Sequence, residues 1–155
     1  MRVVIGLGSN LGDRLANLRA ARDAIARLPF VSTPLSSSVY ETPPVGPPQP
    51  DYLNAAVCVE CTETPAALLA ALLDIERAMG RERRERWGPR VIDLDILWWE
   101  GLALVTDALT IPHARLAERS FAIVPLLEVA PDATDPRTGK PWTPIEPPPR
   151  RFASL

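Results

Sequence analysis

Gly80-Arg81-Glu82-Arg83-Arg84-Glu85-Arg86-Trp87-Gly88-Pro89-Arg90-Val91-Ile92-Asp93-Leu94-Asp95-Ile96-Leu97 changes chemistry at its midpoint. The first half gathers arginines around Trp87 and is broken by Gly88 and Pro89, so it reads as a cationic loop. The second half sets Asp93 and Asp95 among Val91, Ile92, Leu94 and Ile96. That alternation has the period of a strand, in which side chains two apart share a face. Asp93 and Asp95 therefore project side by side, while Leu94 and Ile96 point the other way.

Neighbouring carboxylates repel unless a cation lies beside them. Their hard oxygens suit Mg²⁺, which keeps several waters and takes further ligands from substrate phosphates. Arginine forks bind phosphate oxygens in pairs. An acidic pair with its metal, next to an arginine-rich loop, is the equipment a polyphosphate needs; the bare acids would repel it. The plainer alternative is a solvated loop followed by an edge strand with two exposed acids.

Working outward, the 155 residues suit one domain, 1–155, with a Pro-rich tail from about 132. Hydrophobic residues make up 46%, enough for a core, and no apolar run is long enough to span a membrane. The strand pattern begins at once, without the design of a signal peptide, so the chain reads as cytosolic. A net charge of −2 leaves no general basic field for nucleic acid. All but one of the 17 basic residues are arginine, Lys140 being the exception. Cys58 and Cys61 lack the second pair or the histidine of a zinc site, and read as two buried thiols on opposite faces of a strand.

Before the central stretch, residues 2–8 read as a buried strand. Gly6, Gly8 and Gly12 approach a dinucleotide fingerprint with the third glycine one residue late, so a tight turn with close packing competes with a phosphate loop. Residues 13–28 are helical by the spacing of Leu15, Leu18, Ile25 and Leu28. Residues 30–41 read as one strand, bulged or at an edge near Pro34. A stiff Pro loop, 42–51, leads to a strand from Tyr52. Tyr52 and Asn54 share a strand face and could stack on and hydrogen-bond a flat heterocycle, or belong to a plain strand connection. Thr64 and Pro65 start a helix running to about Met79, with Glu76 close to the arginine loop.

After the stretch, Trp98 to Gly101 read as a turn into a short strand at 102–105. Thr110-Ile111-Pro112-His113 leads into a helix that holds Arg115, Arg119 and Phe121 and ends near Ala130. His113, the single histidine, reads as a hydrogen-bonding core or cap residue, with a functional role as the alternative. Trp142 packs the tail back. The order strand, helix, strand, strand, helix, strand predicts an α+β, ferredoxin-like βαββαβ antiparallel sheet with helices on one face, plus an extra C-terminal helix.

Several segments together resemble one family, the 6-hydroxymethyl-7,8-dihydropterin pyrophosphokinases of folate biosynthesis. They are Gly8-Ser9-Asn10, Thr42-Pro43-Pro44-Val45-Gly46, Gln49-Pro50-Asp51-Tyr52-Leu53-Asn54, Ile75-Glu76, Gly80-Arg81, Arg86-Trp87-Gly88-Pro89-Arg90 with Asp93-Leu94-Asp95, Thr110 to His113, Arg119 to Phe121, and Pro125 to Glu128. The resemblance implies transfer of the β,γ-diphosphate of ATP to the pterin hydroxymethyl group, with AMP released. It implies two Mg²⁺ ions on Asp93 and Asp95, and a catalytic set of Arg81, Arg90, Asp93 and Asp95. ATP contacts are implied for Glu76, Arg81, Arg83, Arg86, Trp87, Arg90, Ile96, Thr110, His113 and Arg119. Pterin contacts are implied for Thr42, Pro43, Pro44, Val45, Tyr52, Asn54, Trp87 and Phe121. The expected partners are these small molecules, without nucleic acid or membrane, for a monomer or alternatively a homodimer. Two rivals use the same features: an RNA reader on the same strand order, and a Mg²⁺-dependent nuclease or other kinase built on the acidic pair.

Overall fold

β1 (Arg2–Ser9) is an interior strand, paired on both edges, and its residues are apolar on both faces. Val3, Ile5 and Leu7 enter one core and Val4 the other. The computed structural model describes residues 1–44, 46–80 and 90–155. The expected arginine loop, with Arg81, Arg83, Arg86 and Trp87, and Val45 therefore lie outside the described residues.

Around β1 the chain forms α1 (Arg14–Ala26), β2 (Val31–Ser36), β3 (Ser38–Thr42), β4 (Tyr52–Cys61), α2 (Pro65–Ala78) and β5 (Asp93–Trp99). A ribbon of β6 (Leu104–Val105) and β7 (Thr110–Ile111), then α3 (Ser120–Val129) and β8 (Arg150–Ser154), complete it. The main sheet runs β5-β1-β4-β3-β8, with β2 also on β4, and every pairing is antiparallel.

The helix starts follow their local chemistry. Asp13 accepts from the Ala16 N–H at 3.1 Å to cap α1. Thr64 accepts from the Ala67 N–H at 3.2 Å to cap α2, whose first residue is Pro65.

The expected single strand over 30–41 divides in two. Thr33 takes a φ of 48° and the register slips between Ser32 and Leu35, around Pro34, which has no N–H to pair. Ser37 then bridges the break: its N–H donates to the Ala56 carbonyl and its hydroxyl accepts from the Ala56 N–H.

Helices α1 and α2 share one face of the sheet, as expected, and the extra C-terminal helix takes the other. α1 and α2 cover the face that carries Ile5, Val57 and Ile96; α3 covers the face that carries Val4, Ala56, Leu97 and Trp98. α3 is also shorter than expected. Residues 116–118 form one 3₁₀ turn, and Arg119, extended at φ −114°, precedes the helix instead of sitting inside it.

β5 continues through Trp98 and Trp99, where a turn was expected. A register shift opposite Val4 and Ile5 inserts Leu97 as an extra residue, so Leu97 and Trp98 both enter the α3-side core while Trp99 enters the other. The Trp98 indole N–H donates to the Thr134 carbonyl at 2.8 Å, fixing the start of the tail. Trp142 packs back into the α3-side core as expected. The tail ends in a strand that its composition did not announce: β8 pairs with β3 at the sheet edge. Cys58 and Cys61 are free, buried, and in different cores, as their spacing predicts.

Candidate active site

Strand register builds the floor of the site. Asp93 pairs with Gly8, Gly8 with Asn54, and Asn54 with Tyr40; one step along, Asp95 pairs with Gly6 and Gly6 with Ala56. A carboxylate edge and an amide edge thus stand on either side of two glycines that contribute no side chain. The space above them is a cavity of about 270 Å³. Among its lining residues are Asp93, Asp95, Arg90, Arg119, Tyr52, Asn54, Thr42, Pro43 and Phe121. Nine sequence-predicted site residues meet there.

Gly6 and Gly8 settle the question raised by the glycine pattern: both lie within a strand and open the floor. A Cβ on Gly8 would come within 3.1 Å of Asn54 Oδ1 and 3.5 Å of the Tyr52 ring. A Cβ on Gly6 would meet Leu97 at 3.0 Å. Glycine inside a strand marks such close approach, in line with the close packing expected of this pattern. Leu97 and Ala122 also line the cavity.

Asn54 is oriented by its neighbour on β3. Its Nδ2 donates to Thr42 Oγ1 at 2.7 Å within the protein interior, which turns Oδ1 over Gly8 as an acceptor aimed into the cavity. Phe121 enters the wall just after α3 begins, and the Arg119 guanidinium lies 5.4 Å from its ring centroid. Burial lowers the Arg119 pKa, Arg115 lowers it further, and Asp95 opposes both.

Asn10, 1% exposed, ties the wall together. Its Nδ2 donates to Gln49 Oε1 at 2.7 Å and to the Pro50 carbonyl at 3.1 Å. Its Oδ1 accepts from the Arg90 N–H. The Pro loop and the entry to β5 are thereby held to the end of β1.

Four expected nucleotide residues stand outside this lining. Glu76 is buried on α2 and the Ile96 side chain belongs to the core on the opposite face. Thr110 pairs with Val105. The His113 N–H donates to the Leu97 carbonyl at 2.9 Å, and its Nδ1 accepts from the Arg115 N–H at 3.3 Å. Pro44 follows Pro43 without lining the cavity.

Asp93 and Asp95 supply two hard carboxylates on one face. No group of three or more His, Cys, Asp or Glu side chains converges among the described residues, so a metal held here would draw its other ligands from water or substrate oxygens. That donor set fits Mg²⁺. Among the described residues no helix is long and apolar enough to cross a membrane.

A family model described as 7,8-dihydro-6-hydroxymethylpterin-pyrophosphokinase (HPPK) matches residues 4–131. The 2-amino-4-hydroxy-6-hydroxymethyldihydropteridine pyrophosphokinase of Methylorubrum extorquens is 46% identical over 84% of this chain and 84% of its own length. The protein of the same name from Synechocystis is 44% identical over 88% of this chain and 70% of its own length. A crystal structure of an HPPK-DHPS in complex with substrates superposes with a TM-score of 0.66 at 14% identity, covering 90% of this chain and 42% of that one. The likeness to that longer protein is one of fold alone. With the model match spanning both the acidic strand and the Pro loop, and relatives this similar, the chain belongs to the 7,8-dihydro-6-hydroxymethylpterin-pyrophosphokinase family.

Proposed function

We propose that the chain, acting as one pyrophosphokinase domain over 1–155, transfers diphosphate from ATP to 6-hydroxymethyl-7,8-dihydropterin in folate biosynthesis. The observation that carries this reading is a cavity that joins an acidic, arginine-flanked edge to an aromatic and amide edge. The hydroxymethyl oxygen attacks the β-phosphorus, and the bond from that phosphorus to the α–β bridging oxygen breaks. AMP leaves with that oxygen and the hydroxyl proton is released.

Each part of the wall takes a share. Tyr52 and Phe121 offer ring faces to the pterin. Asn54 Oδ1, with the backbone of Thr42, Pro43, Pro44 and Val45, reads its polar edge. Arg90 and Arg119 face the phosphates as guanidinium forks. Arg81, Arg83, Arg86 and Trp87 are assigned to ATP by their motif, as are Glu76, Ile96, Thr110 and His113. Two Mg²⁺ ions on Asp93 and Asp95 would neutralise the charge on the phosphate oxygens. The strand order β5-β1-β4-β3 supports the ferredoxin-like reading of the sheet. Its second sheet face, where an RNA reader would stack bases, is occupied here by α3.

Product analysis tests the reading. ATP and Mg²⁺ are incubated with and without the hydroxymethyl-dihydropterin, and the adenine nucleotides are separated. AMP formed only with the pterin supports it; ADP, or AMP formed regardless of the pterin, contradicts it.

A further inference from the structure

The family match ends at residue 131, yet the chain beyond it returns to the pterin side of the cavity. Arg14, at the start of α1, donates through Nη1 to Glu41 Oε2 at 2.8 Å and to the Asp51 carbonyl at 2.9 Å. Glu41 and Asp51 are the residues immediately flanking the segment 42–50, so one guanidinium closes the base of the Pro loop.

β8 holds that clamp from its outer side. Arg150 pairs with Glu41 in the ladder and donates to its other carboxylate oxygen. The Phe152 ring lies 5.6 Å from the Arg14 guanidinium carbon, a cation–π contact. The clamp is partly withdrawn from water: the Arg14 and Glu41 side chains are 24% and 14% exposed. Arg14 is the main cause that holds the Glu41 carboxyl below its usual range; burial opposes it and Arg150 adds to it.

Position in the sheet separates this clamp from the phosphate end. β8 and β3 occupy one edge and β5, with Asp93 and Asp95, the other. We propose that β8 is a positioning element for the pterin: Phe152 and Arg150 fix the Arg14–Glu41 clamp, and the clamp sets how Thr42 and Pro43 meet the pterin beside Asn54. This inference rests on the assignment of that loop to the pterin.

Phe152 is 43% exposed, so its truncation leaves no hole in either core. The test measures the dissociation constant of 6-hydroxymethylpterin, by its own fluorescence, with Mg²⁺ and an unreactive ATP analogue at saturation. The analogue's dissociation constant is measured separately. Phe152→Ala should weaken pterin binding about fivefold, the scale of a lost exposed cation–π contact. The nucleotide constant should stay within about twofold, and Phe152→Tyr should restore pterin binding. Unchanged pterin binding in Phe152→Ala, or equal weakening of both ligands, overturns the role of β8 and leaves the pterin assignment intact. A wild-type chain that does not bind the pterin overturns both.

Discussion

Asn10 and Arg90 exchange two hydrogen bonds: the Asn10 N–H donates to the Arg90 carbonyl at 3.0 Å, and the Arg90 N–H donates to Asn10 Oδ1 at 2.7 Å. The same amide holds Gln49 and Pro50. Asn10→Ala removes the partner of the Arg90 N–H and of the Pro50 carbonyl, both bonds being part-buried. The expected loss is about 1 kcal/mol or more, the net scale of hydrogen bonds that water can only partly replace, read as a lower urea midpoint at constant slope. Stability within about 0.5 kcal/mol of the wild type would remove Asn10 from its place as organiser of the wall.

The acidic pair is the second test. Asp93→Ala and Asp95→Ala should each slow turnover by on the order of 10³ or more, the value of charge stabilisation lost with a catalytic metal. Because Asp95 is exposed and Asp93 half-buried, both variants should keep wild-type thermal midpoints within a few degrees. Steady-state rates near wild type in either one are incompatible with the metal role.

Gly8 tests the floor. A methyl group there stands 3.1 Å from the oxygen of Asn54 and in contact with Tyr52, so it intrudes where the pterin would lie. Gly8→Ala should weaken pterin binding by about fivefold or more, from an overpacking cost of about 1–3 kcal/mol. Titration with the pterin alone decides it. Undiminished affinity means that the pterin does not reach the floor between Asp93 and Asn54.

Arg90 bears on chemistry rather than on capture. It stands beside the acidic pair in the cavity wall, where charge builds up as the phosphorus changes partners. Arg90→Ala should lower kcat more than it raises the KM for ATP. An increase in KM at constant kcat would identify Arg90 as a uniform binding contact instead.

Glu41 has a pH signature. Its carboxyl is held below the ordinary value in the folded chain, chiefly by Arg14. A depressed folded value stabilises above the unfolded value of about 4.3 and is lost as pH falls through the folded value. Glu41→Gln should therefore be less stable than the wild type by on the order of 1 kcal/mol near neutrality. The gap between their urea midpoints should close progressively below about pH 4.3. A gap independent of pH would show that the loss comes from packing and not from charge.

Much of this was legible in the order of residues, and the reasons differ by element. β5 was readable because its acids and aliphatics alternate with period two, and α2 because Thr64, Pro65 and its leucines mark a start and a face. The meeting of Asp93, Asn54, Tyr52 and Phe121 could be expected from motif resemblance; the register that unites them depends on strand pairing, which no local pattern states. β8 was missed because Arg150-Arg151-Phe152-Ala153-Ser154 has no buried stripe; its conformation comes from pairing with β3. The start of α3 was misplaced because the residues of the 3₁₀ turn are as helix-compatible as those that follow. The face that the extra helix would take was not readable because α3 is apolar on most sides and could have joined either core.

The extra residue at Leu97 has a consequence for what lengths β5 can tolerate. Toward its start, odd-numbered residues look into the cavity; past the insertion, even-numbered Trp98 looks the same way. Leu97 is itself the insertion, so its removal alone leaves a regular ladder in which Asp93, Asp95 and Trp98 keep one face and Ile96 and Trp99 the other. The loss is confined to the side chain that lies against Gly6. Deleting Leu94 instead sets the two acids on opposite faces of the strand and should abolish catalysis.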